Sequence, residues 1–275
     1  MARAALIQMV SSAEVANNLQ QAEKLIIQAR EEQADLVLLP ENFAFMGLNE
    51  ADKLSIAETY GDGPIQQKIS ELAKRLGIWI IPGTIPLKST GSKVRASCVV
   101  YDEKGKCAAR YDKIHLFDVN VSSKEAYQES LSVEGGHDLA LVDTPIGKIG
   151  LTVCYDLRFA ELYQELMRCG AQVFTVPSAF TAVTGLAHWE VLLRARAIEN
   201  LCYVLAANQG GRHENGRSTY GHSMIVDPWG KVLTQKEAGN GIVIADIDLQ
   251  SQKELRRTFP CLEHHVLNLK EIHQS

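Results

Sequence analysis

Short apolar runs alternate with segments of helical periodicity through much of this 275-residue chain. The apolar runs are RAALIQMV (3–10), DLVLLP (35–40), IWIIPG (78–83), AQVFTVP (171–177) and YVLAAN (203–208). Such runs are typical of strands that are covered on both faces, as in sheets flanked by helices. The alternation therefore predicts an α/β fold in which helices flank a mixed sheet or two stacked sheets.

The segments between these runs have the spacing of amphipathic helices. Apolar residues recur on one face of the first helix at Val15, Leu19, Ala22, Ile26 and Ala29. Ser11 and Glu14, just before it, have the spacing of a capping box. Further helices are predicted over 64–76, 158–169 and 188–202. The long stretch 115–138 has weak periodicity, and a loop of that length is usually functional or disordered.

Composition narrows the class of protein. The chain is 46% hydrophobic and 22% charged with a net charge of −5, as expected for a globular protein with a sizeable core. No basic run suggests a nucleic-acid partner, and no apolar stretch is long enough to predict a membrane span. MARAALIQMV is predicted to be a first strand rather than a signal peptide. No linker divides the chain, so residues 1–275 are expected to form a single domain.

Cysteines and histidines indicate neither a disulfide framework nor a metal site. The six cysteines lie far apart without a C-x-x-C pair, which favours reduced thiols in a cytoplasmic protein. The eight histidines show no recognised ligand spacing, and no phosphate-binding loop is present. We therefore expect no metal and no cofactor.

Three reactive side chains follow predicted strands. Glu41 comes after DLVLLP, Lys113 after CAARYD, and Cys154 after IGLTV. Ligands of layered α/β proteins collect at the carboxyl ends of strands, so these three groups are candidates for one site. Each residue alone has a commoner explanation, since isolated cysteines usually pack in the core and single charges usually face solvent.

The three groups are chemically complementary. A cysteine thiolate is a nucleophile, and a helix N-terminus with a neighbouring cation is expected to lower the pKa of Cys154. A glutamate such as Glu41 can take the thiol proton and later activate water. A lysine such as Lys113 can stabilise the negative oxygen formed on a carbonyl or nitrile, with the backbone N–H of Tyr155 as a second donor.

Six segments give the sequence a resemblance to a known superfamily. They are LLPENF, RYDKIHLFD, GLTVCYDLRF, PSAF, HWEVLLRARAIEN and YGHSMIVDPWG. In this order they resemble the nitrilase superfamily of carbon–nitrogen hydrolases, and the last three are similar to its Nit branch. The resemblance implies a four-layer αββα sandwich that assembles into homodimers or larger homo-oligomers. It also implies that Glu41 is the general base, Lys113 the oxyanion stabiliser and proton donor, and Cys154 the nucleophile.

The resemblance extends to a second glutamate near the triad. In YQES this position best matches Glu129, with Glu125 as a nearby competitor. Ala160 stands where relatives usually have proline, which should not alter the chemistry because proline supplies no reactive group.

Two arginines are candidates for binding a substrate carboxylate. Arg158 could bind one as a bidentate partner, although an ion pair with a structural acid is the commoner role. Arg212 lies in the polar segment GGRHENGR with His213, which is equally well explained as a solvated loop.

Together these features predict a cofactor-free amidase that acts on a small-molecule amide through a cysteine thioester. The branch resemblance implies the primary amide of deaminated glutathione or a similar α-keto acid amide, with release of ammonia. The alternatives are an ω-amidase acting on α-ketoglutaramate, a nitrilase or N-carbamoyl amidase, and an inactive scaffold that retains the fold.

Overall fold

The computed structural model describes residues 1–122 and 125–266. These residues contain fifteen strands and five α-helices. The helices are α1 (Val15–Glu31), α2 (Pro64–Leu76), α3 (Ala160–Arg168), α4 (Ala182–Asn200) and α5 (Leu249–Thr258). The strands are β1 (Ala2–Gln8), β2 (Leu36–Leu38), β3 (Trp79–Ile81), β4 (Ile85–Lys88), β5 (Val94–Tyr101), β6 (Cys107–Asp112), β7 (Asp118–Ser122), β8 (Glu125–Gln128), β9 (Leu141–Thr144), β10 (Gly147–Leu151), β11 (Val173–Thr175), β12 (Tyr203–Ala206), β13 (Ser223–Val226), β14 (Val232–Lys236) and β15 (Gly241–Ile247). None of the described helices combines the length and apolar character needed to cross a membrane.

The strands form two mixed sheets and one separate hairpin. The first sheet has the order β15-β1-β2-β3-β5-β4, and β6 also pairs with β5. The second sheet has the order β14-β13-β12-β11-β10-β9, while β7 and β8 form the hairpin. In each sheet the central strands are parallel, namely β1-β2-β3 in the first and β10-β11-β12 in the second. Their carboxyl ends can therefore present side chains at a common edge.

Alternating side chains of β1 show how the layers stack. Ala4 and Leu6 pack into the core that includes second-sheet residues such as Val204. Ala5 and Ile7 point to the opposite face, as the period of a strand requires, and pack beneath α1 and α2. On the other side of the molecule, α3 contacts β10 and α4 contacts β12. The predicted αββα sandwich is confirmed.

Two predicted helices differ from those observed. A 3-10 turn, Cys154–Arg158, precedes α3, so the α-helix begins at Ala160 rather than 158. Helix α4 begins at Ala182 rather than 188, and Thr181 caps it by accepting the N–H of Thr184 at 3.4 Å. Apolar residues on the exposed side of its first turns conceal the usual amphipathic pattern there, which explains the late predicted start.

The predicted capping box of α1 is wrong. Glu14 is the N-cap residue, but its side chain makes no capping hydrogen bond. The Ser11 hydroxyl donates instead to the Phe43 carbonyl at 2.9 Å, so it joins two loops rather than capping the helix.

The stretch 115–138 contains ordered structure that its weak periodicity did not predict. The β7–β8 hairpin and a 3-10 turn over Glu129–Leu131 occupy its centre. Ser123 and Lys124 lie outside the described residues. Short strands of mixed polarity give little periodic signal, which explains why the sequence indicated a loop.

Gly83 provides a test of how closely the loops at the sheet edge pack. Its φ is +64°, and a Cβ there would lie 2.0 Å from the carbonyl oxygen of Pro40, next to Glu41. Gly77 has a similar φ of +60°, but a Cβ at that position would meet no atom within 4 Å. We expect Gly77→Ala to lower the free energy of unfolding by roughly 1–2 kcal/mol, the cost of a left-handed alanine. Gly83→Ala should cost about 2 kcal/mol more because the backbone must move.

Urea denaturation of both variants measures the difference. Equal losses of stability would show that the approach of Gly83 to Pro40 is not tightly packed.

Candidate active site

The ends of three strands bring a glutamate, a lysine and a cysteine close together. Glu41 follows β2, and Lys113 comes directly after β6. The Lys113 Nζ lies 2.8 Å from Glu41 Oε1, and both side chains are buried. Cys154, which follows β10, is also buried and is close enough for both charges to affect its pKa. The predicted strand-end groups therefore converge.

A second carboxylate completes the surroundings of Lys113. Glu129 Oε2 and Oε1 lie 2.8 and 3.1 Å from the Lys113 Nζ, and the backbone N–H of Phe117 donates to Oε2 at 2.8 Å. Glu125 instead accepts the hydroxyl of Tyr127 at 2.7 Å. Of the two glutamates that the sequence offered, the structure brings Glu129 to the lysine.

Burial and charge oppose each other in this cluster. Burial favours the neutral amine of Lys113, but the carboxylates of Glu129 and Glu41 outweigh it and raise the pKa of Lys113 well above its ordinary value. Burial likewise favours the neutral acid of Glu129, but Lys113 and, more weakly, Lys53 keep the pKa of Glu129 lowered. Among the residues that the structure describes, no group of three or more His, Cys, Asp and Glu is arranged to hold a metal ion.

Cys154 occupies a strained turn held by buried hydrogen bonds. Its φ is +47°, a left-handed conformation that few residues other than glycine adopt. Its N–H donates to the carbonyl of Pro177 at 3.0 Å. The buried Asp156 accepts the N–H of Val153 at 2.8 Å and the hydroxyl of Tyr111 at 2.7 Å. These bonds fix the position of the sulfur, and the part that Asp156 plays was not predicted from the sequence.

The same turn exposes a backbone donor. The hydrogen bonds of the 3-10 turn begin at the N–H of Asp156, which donates to the Val153 carbonyl at 3.0 Å. No acceptor for the N–H of Tyr155 is found in the described part of the chain. This group, adjacent to Cys154, is available to a negatively charged oxygen on a substrate.

The predicted lowering of the pKa of Cys154 is wrong. Burial raises the pKa of the Cys154 thiol, and the charge and hydrogen bonding of Glu41 raise it further, while Lys113 opposes the shift. The lysine cannot stabilise a thiolate strongly because two carboxylates already neutralise it. The site therefore holds a thiol next to a carboxylate that can accept its proton.

A backbone group that no sequence pattern indicated orients Glu41. The N–H of Ala179 donates to Glu41 Oε2 at 2.9 Å, while Oε1 faces Lys113. Ala179 belongs to the same PSAF segment as Pro177, the acceptor for Cys154. One short loop thus positions both the Glu41 carboxylate and Cys154.

The two predicted arginines have different positions. Arg158 lies over the Phe180 ring at 5.3 Å, and its Nη1 is 3.3 Å from His188 Nδ1. It makes no ion pair with an acid of the described residues, so the structural alternative for Arg158 is not observed. Arg212 is exposed and lies outside the wall of the large cavity beside the site, whereas Arg217 from the same loop lines it.

This cavity has a volume of about 680 Å³ and reaches the site through Asn42 and Glu129. Its remaining wall includes Lys53, Tyr127 and Arg217, none of which was predicted from the sequence to be a site residue. Cys154 is buried and is not one of the residues that line the cavity. Lys53 lies in a 3-10 turn, Tyr127 in the short strand β8 and Arg217 in a loop. Such short or irregular segments have no periodicity, so the sequence gave no signal that could have located these three side chains.

The raised pKa of Cys154 predicts its reaction with iodoacetamide. Alkylation of Cys154 should increase steadily from pH 6 to pH 9 without a plateau, because the thiolate is a minor form throughout this range. The Glu41→Gln variant should react faster at each pH, since removing the negative charge lowers the pKa of the thiol. Mass spectrometry of the labelled peptides, with the exposed Cys169 as an internal control, measures both. A plateau of Cys154 labelling below pH 8 would contradict this account.

Relatives of known sequence match nearly the whole chain. The family model described as carbon-nitrogen hydrolase matches residues 3–257. The deaminated glutathione amidase of Yersinia enterocolitica is 44% identical over 267 residues, which are 96% of this chain and 93% of that protein.

Solved structures agree with this similarity. The C. elegans NitFhit protein matches with a TM-score of 0.90 at 41% identity, over 97% of this chain and 66% of that chain. Saccharomyces cerevisiae Nit3, a member of branch 10 of the nitrilase superfamily, matches with a TM-score of 0.85 at 31% identity, over 98% of this chain and 96% of its own. This chain therefore belongs to the carbon-nitrogen hydrolase family, within the nitrilase superfamily.

Proposed function

We propose that this protein is an amidase that hydrolyses deaminated glutathione, or a similar α-keto acid amide, through a thioester on Cys154 and without a cofactor. The observation that carries the proposal is the buried Lys113 ammonium, held between Glu41 and Glu129 beside the Cys154 thiol. The substrate class is supported by relatives of 41–44% identity that are named deaminated glutathione amidase.

The first step is attack by the Cys154 sulfur on the amide carbon. Glu41 accepts the thiol proton as the C–S bond forms, because the raised pKa of the thiol makes a free thiolate scarce. The carbonyl oxygen becomes negative and is stabilised by the Lys113 ammonium and the N–H of Tyr155. Glu129 keeps the lysine charged and oriented without contributing to bond making.

The second step breaks the C–N bond. Glu41 returns the proton to the leaving nitrogen, and a thioester remains on Cys154. Ammonia leaves from a primary amide, but both amide nitrogens of deaminated glutathione carry substituents. With that substrate the leaving group is therefore an amine, and the ammonia expected from the sequence applies to primary amides such as α-ketoglutaramate.

The third step is hydrolysis of the thioester. Glu41 takes a proton from water as the oxygen attacks the acyl carbon, and the same oxyanion donors act again. The C–S bond breaks, the sulfur recovers its proton from Glu41, and the carboxylic acid is released.

Arg158 is proposed to bind the carboxylate of the α-keto acid. It lies at the end of the turn that begins with Cys154, and no acid of the described residues neutralises it. An arginine can bind a carboxylate through two parallel hydrogen bonds, which would orient the acyl group next to the sulfur. Tyr155 contributes through its backbone N–H.

Substitution of the reacting groups tests this proposal. Cys154→Ala should lower kcat/KM for amides by a factor of roughly 10⁴ or more, since no other group can form the thioester. Glu41→Gln should also lower kcat/KM, because proton transfer fails in each step. Cys169→Ala, which removes an exposed thiol, should leave the rate unchanged.

The substrate panel should contain deaminated glutathione, α-ketoglutaramate, a nitrile and an N-carbamoyl amino acid. Turnover confined to nitriles or carbamoyl compounds would favour those rival activities. If the wild type hydrolysed none of the four, the inactive scaffold would be the better explanation.

We further propose a homodimer, or a larger homo-oligomer, of single-domain subunits in the cytoplasm. The single domain, residues 1–275, is supported by the pairing of β1 with β15 from opposite ends of the chain. A reducing compartment is supported by six free cysteines. Assembly is supported by four exposed apolar side chains on α4: Val183, Leu186, Val191 and Ile198.

Leu186→Asp tests this assembly because Leu186, at 79%, is the most exposed of these four side chains. The wild type should sediment as an oligomer of 30.3 kDa subunits, and the variant should shift towards the monomer. Leu139→Asp, an exposed position before β9, is the control and should keep the wild-type mass. A monomeric wild type, or an unchanged mass for Leu186→Asp, would contradict the proposed interface.

A further inference from the structure

The cavity beside the active site is larger than a small keto acid amide requires. Its volume of about 680 Å³ is in the range of pockets that hold drug-sized ligands. It begins at Glu129 and Asn42 and extends to a wall formed by residues 45–50 and 215–218. Because Glu129 contacts Lys113, this space adjoins the ion cluster and is available to the part of a substrate that extends beyond the site.

Arg217 is held in a fixed position on this wall. One guanidinium nitrogen, Nη2, donates to the carbonyl of Ala179, whose own N–H binds Glu41. The guanidinium lies 4.9 Å from the centroid of the Tyr127 ring. The Arg217 N–H donates to Asn215 Oδ1 at 3.0 Å, and Asn215 Nδ2 donates across the cavity rim to the Gly47 carbonyl at 2.8 Å.

The charge of Arg217 is not neutralised by the described residues. None of their carboxylates forms an ion pair with it, its Nε is buried without an acceptor, and Nη1 also has none. The other cation on the wall, Lys53, is already paired with Glu50 at 2.7 Å. Of the remaining carboxylates there, Glu129 pairs with Lys113, and Glu125 accepts a hydrogen bond from the Tyr127 hydroxyl. A partly buried cation without a counterion is unfavourable, so Arg217 is the group on this wall that an anionic ligand would stabilise.

We infer that Arg217 binds a carboxylate at the leaving-group end of the substrate, on the opposite side of the scissile amide from Arg158. This inference rests on the proposed amidase function. Arg158 follows Cys154 on the same turn and suits the acyl carboxylate, whereas Arg217 is reached through the cavity beyond Glu129. The favoured substrate is thus an amide with a carboxylate at each end, as in a keto acid joined to a short peptide.

A pair of substrates tests this assignment. Deaminated glutathione has a terminal glycine carboxylate, and an analogue with a terminal carboxamide has none. The wild type should hydrolyse the free acid with a kcat/KM roughly 10–100 times higher, the usual effect of a hydrogen bond to a charged group. Arg217→Met should lose this preference by slowing hydrolysis of the free acid alone. Arg217→Lys should retain part of the preference because it keeps the charge.

Arg212→Met is the matched control, since it removes an exposed arginine from the same loop, and it should behave like the wild type. If Arg217→Met lowered kcat/KM equally for both substrates, Arg217 would merely support the positions of Ala179 and Glu41, and the inference would be overturned. A wild type that does not distinguish the two substrates would also overturn it.

Calorimetric binding to Cys154→Ala separates this inference from the proposed function. Cys154→Ala should bind the free acid more tightly than the carboxamide, and Cys154→Ala/Arg217→Met should bind the two equally. This result would support the role of Arg217 even if the wild type hydrolysed neither compound. Equal binding of both compounds to Cys154→Ala would overturn the inference even if the wild type were an active amidase.

Discussion

A single buried ammonium holds the site together. Lys113 lies between the carboxylates of Glu41 and Glu129, and each of these is also fixed by a backbone N–H. Without the lysine, two buried carboxylates would repel each other and lose their counterion, a loss typically worth about 3–5 kcal/mol. The same ion cluster joins the end of β6, the end of β2 and the turn after the β7–β8 hairpin. Folding and site assembly therefore depend on the same contacts.

This arrangement also determines how the thiol can react. Two carboxylates neutralise Lys113, so little positive charge remains to stabilise a thiolate, and the pKa of Cys154 is raised. Cys154 is therefore a thiol with a base next to it rather than a preformed thiolate. In the proposed mechanism the positive charge acts when an oxyanion forms, because preorganised donors act most strongly on charge that develops in the transition state.

The sequence predicted those parts of the molecule that have a strong local signal. Continuous apolar runs indicated strands such as β1, β2, β3, β11 and β12. The reactive residues that follow predicted strands singled out Glu41, Lys113 and Cys154, which the structure brings close together. It could not predict Ala179, because its contribution is a backbone N–H that every residue but proline has. It named Arg212, which is exposed, and not Arg217, which lines the cavity, because the direction of a loop side chain depends on distant contacts such as that between Asn215 and Gly47. It also indicated the wrong direction for the pKa of Cys154, because burial is a property of the folded chain.

The central claim is that the sulfur of Cys154 becomes acylated beside Glu41 and Lys113. Acid quenching during turnover, followed by mass spectrometry of the digested protein, tests it most directly. The Glu41→Gln variant is incubated with substrate for a long period in a second experiment. Loss of Glu41 should also slow hydrolysis of any thioester that forms, so that the thioester accumulates. We predict an acyl group, the substrate minus its amine, on Cys154. Substrate consumption by the wild type with no adduct at this residue in either protein, or with the adduct elsewhere, would contradict the account.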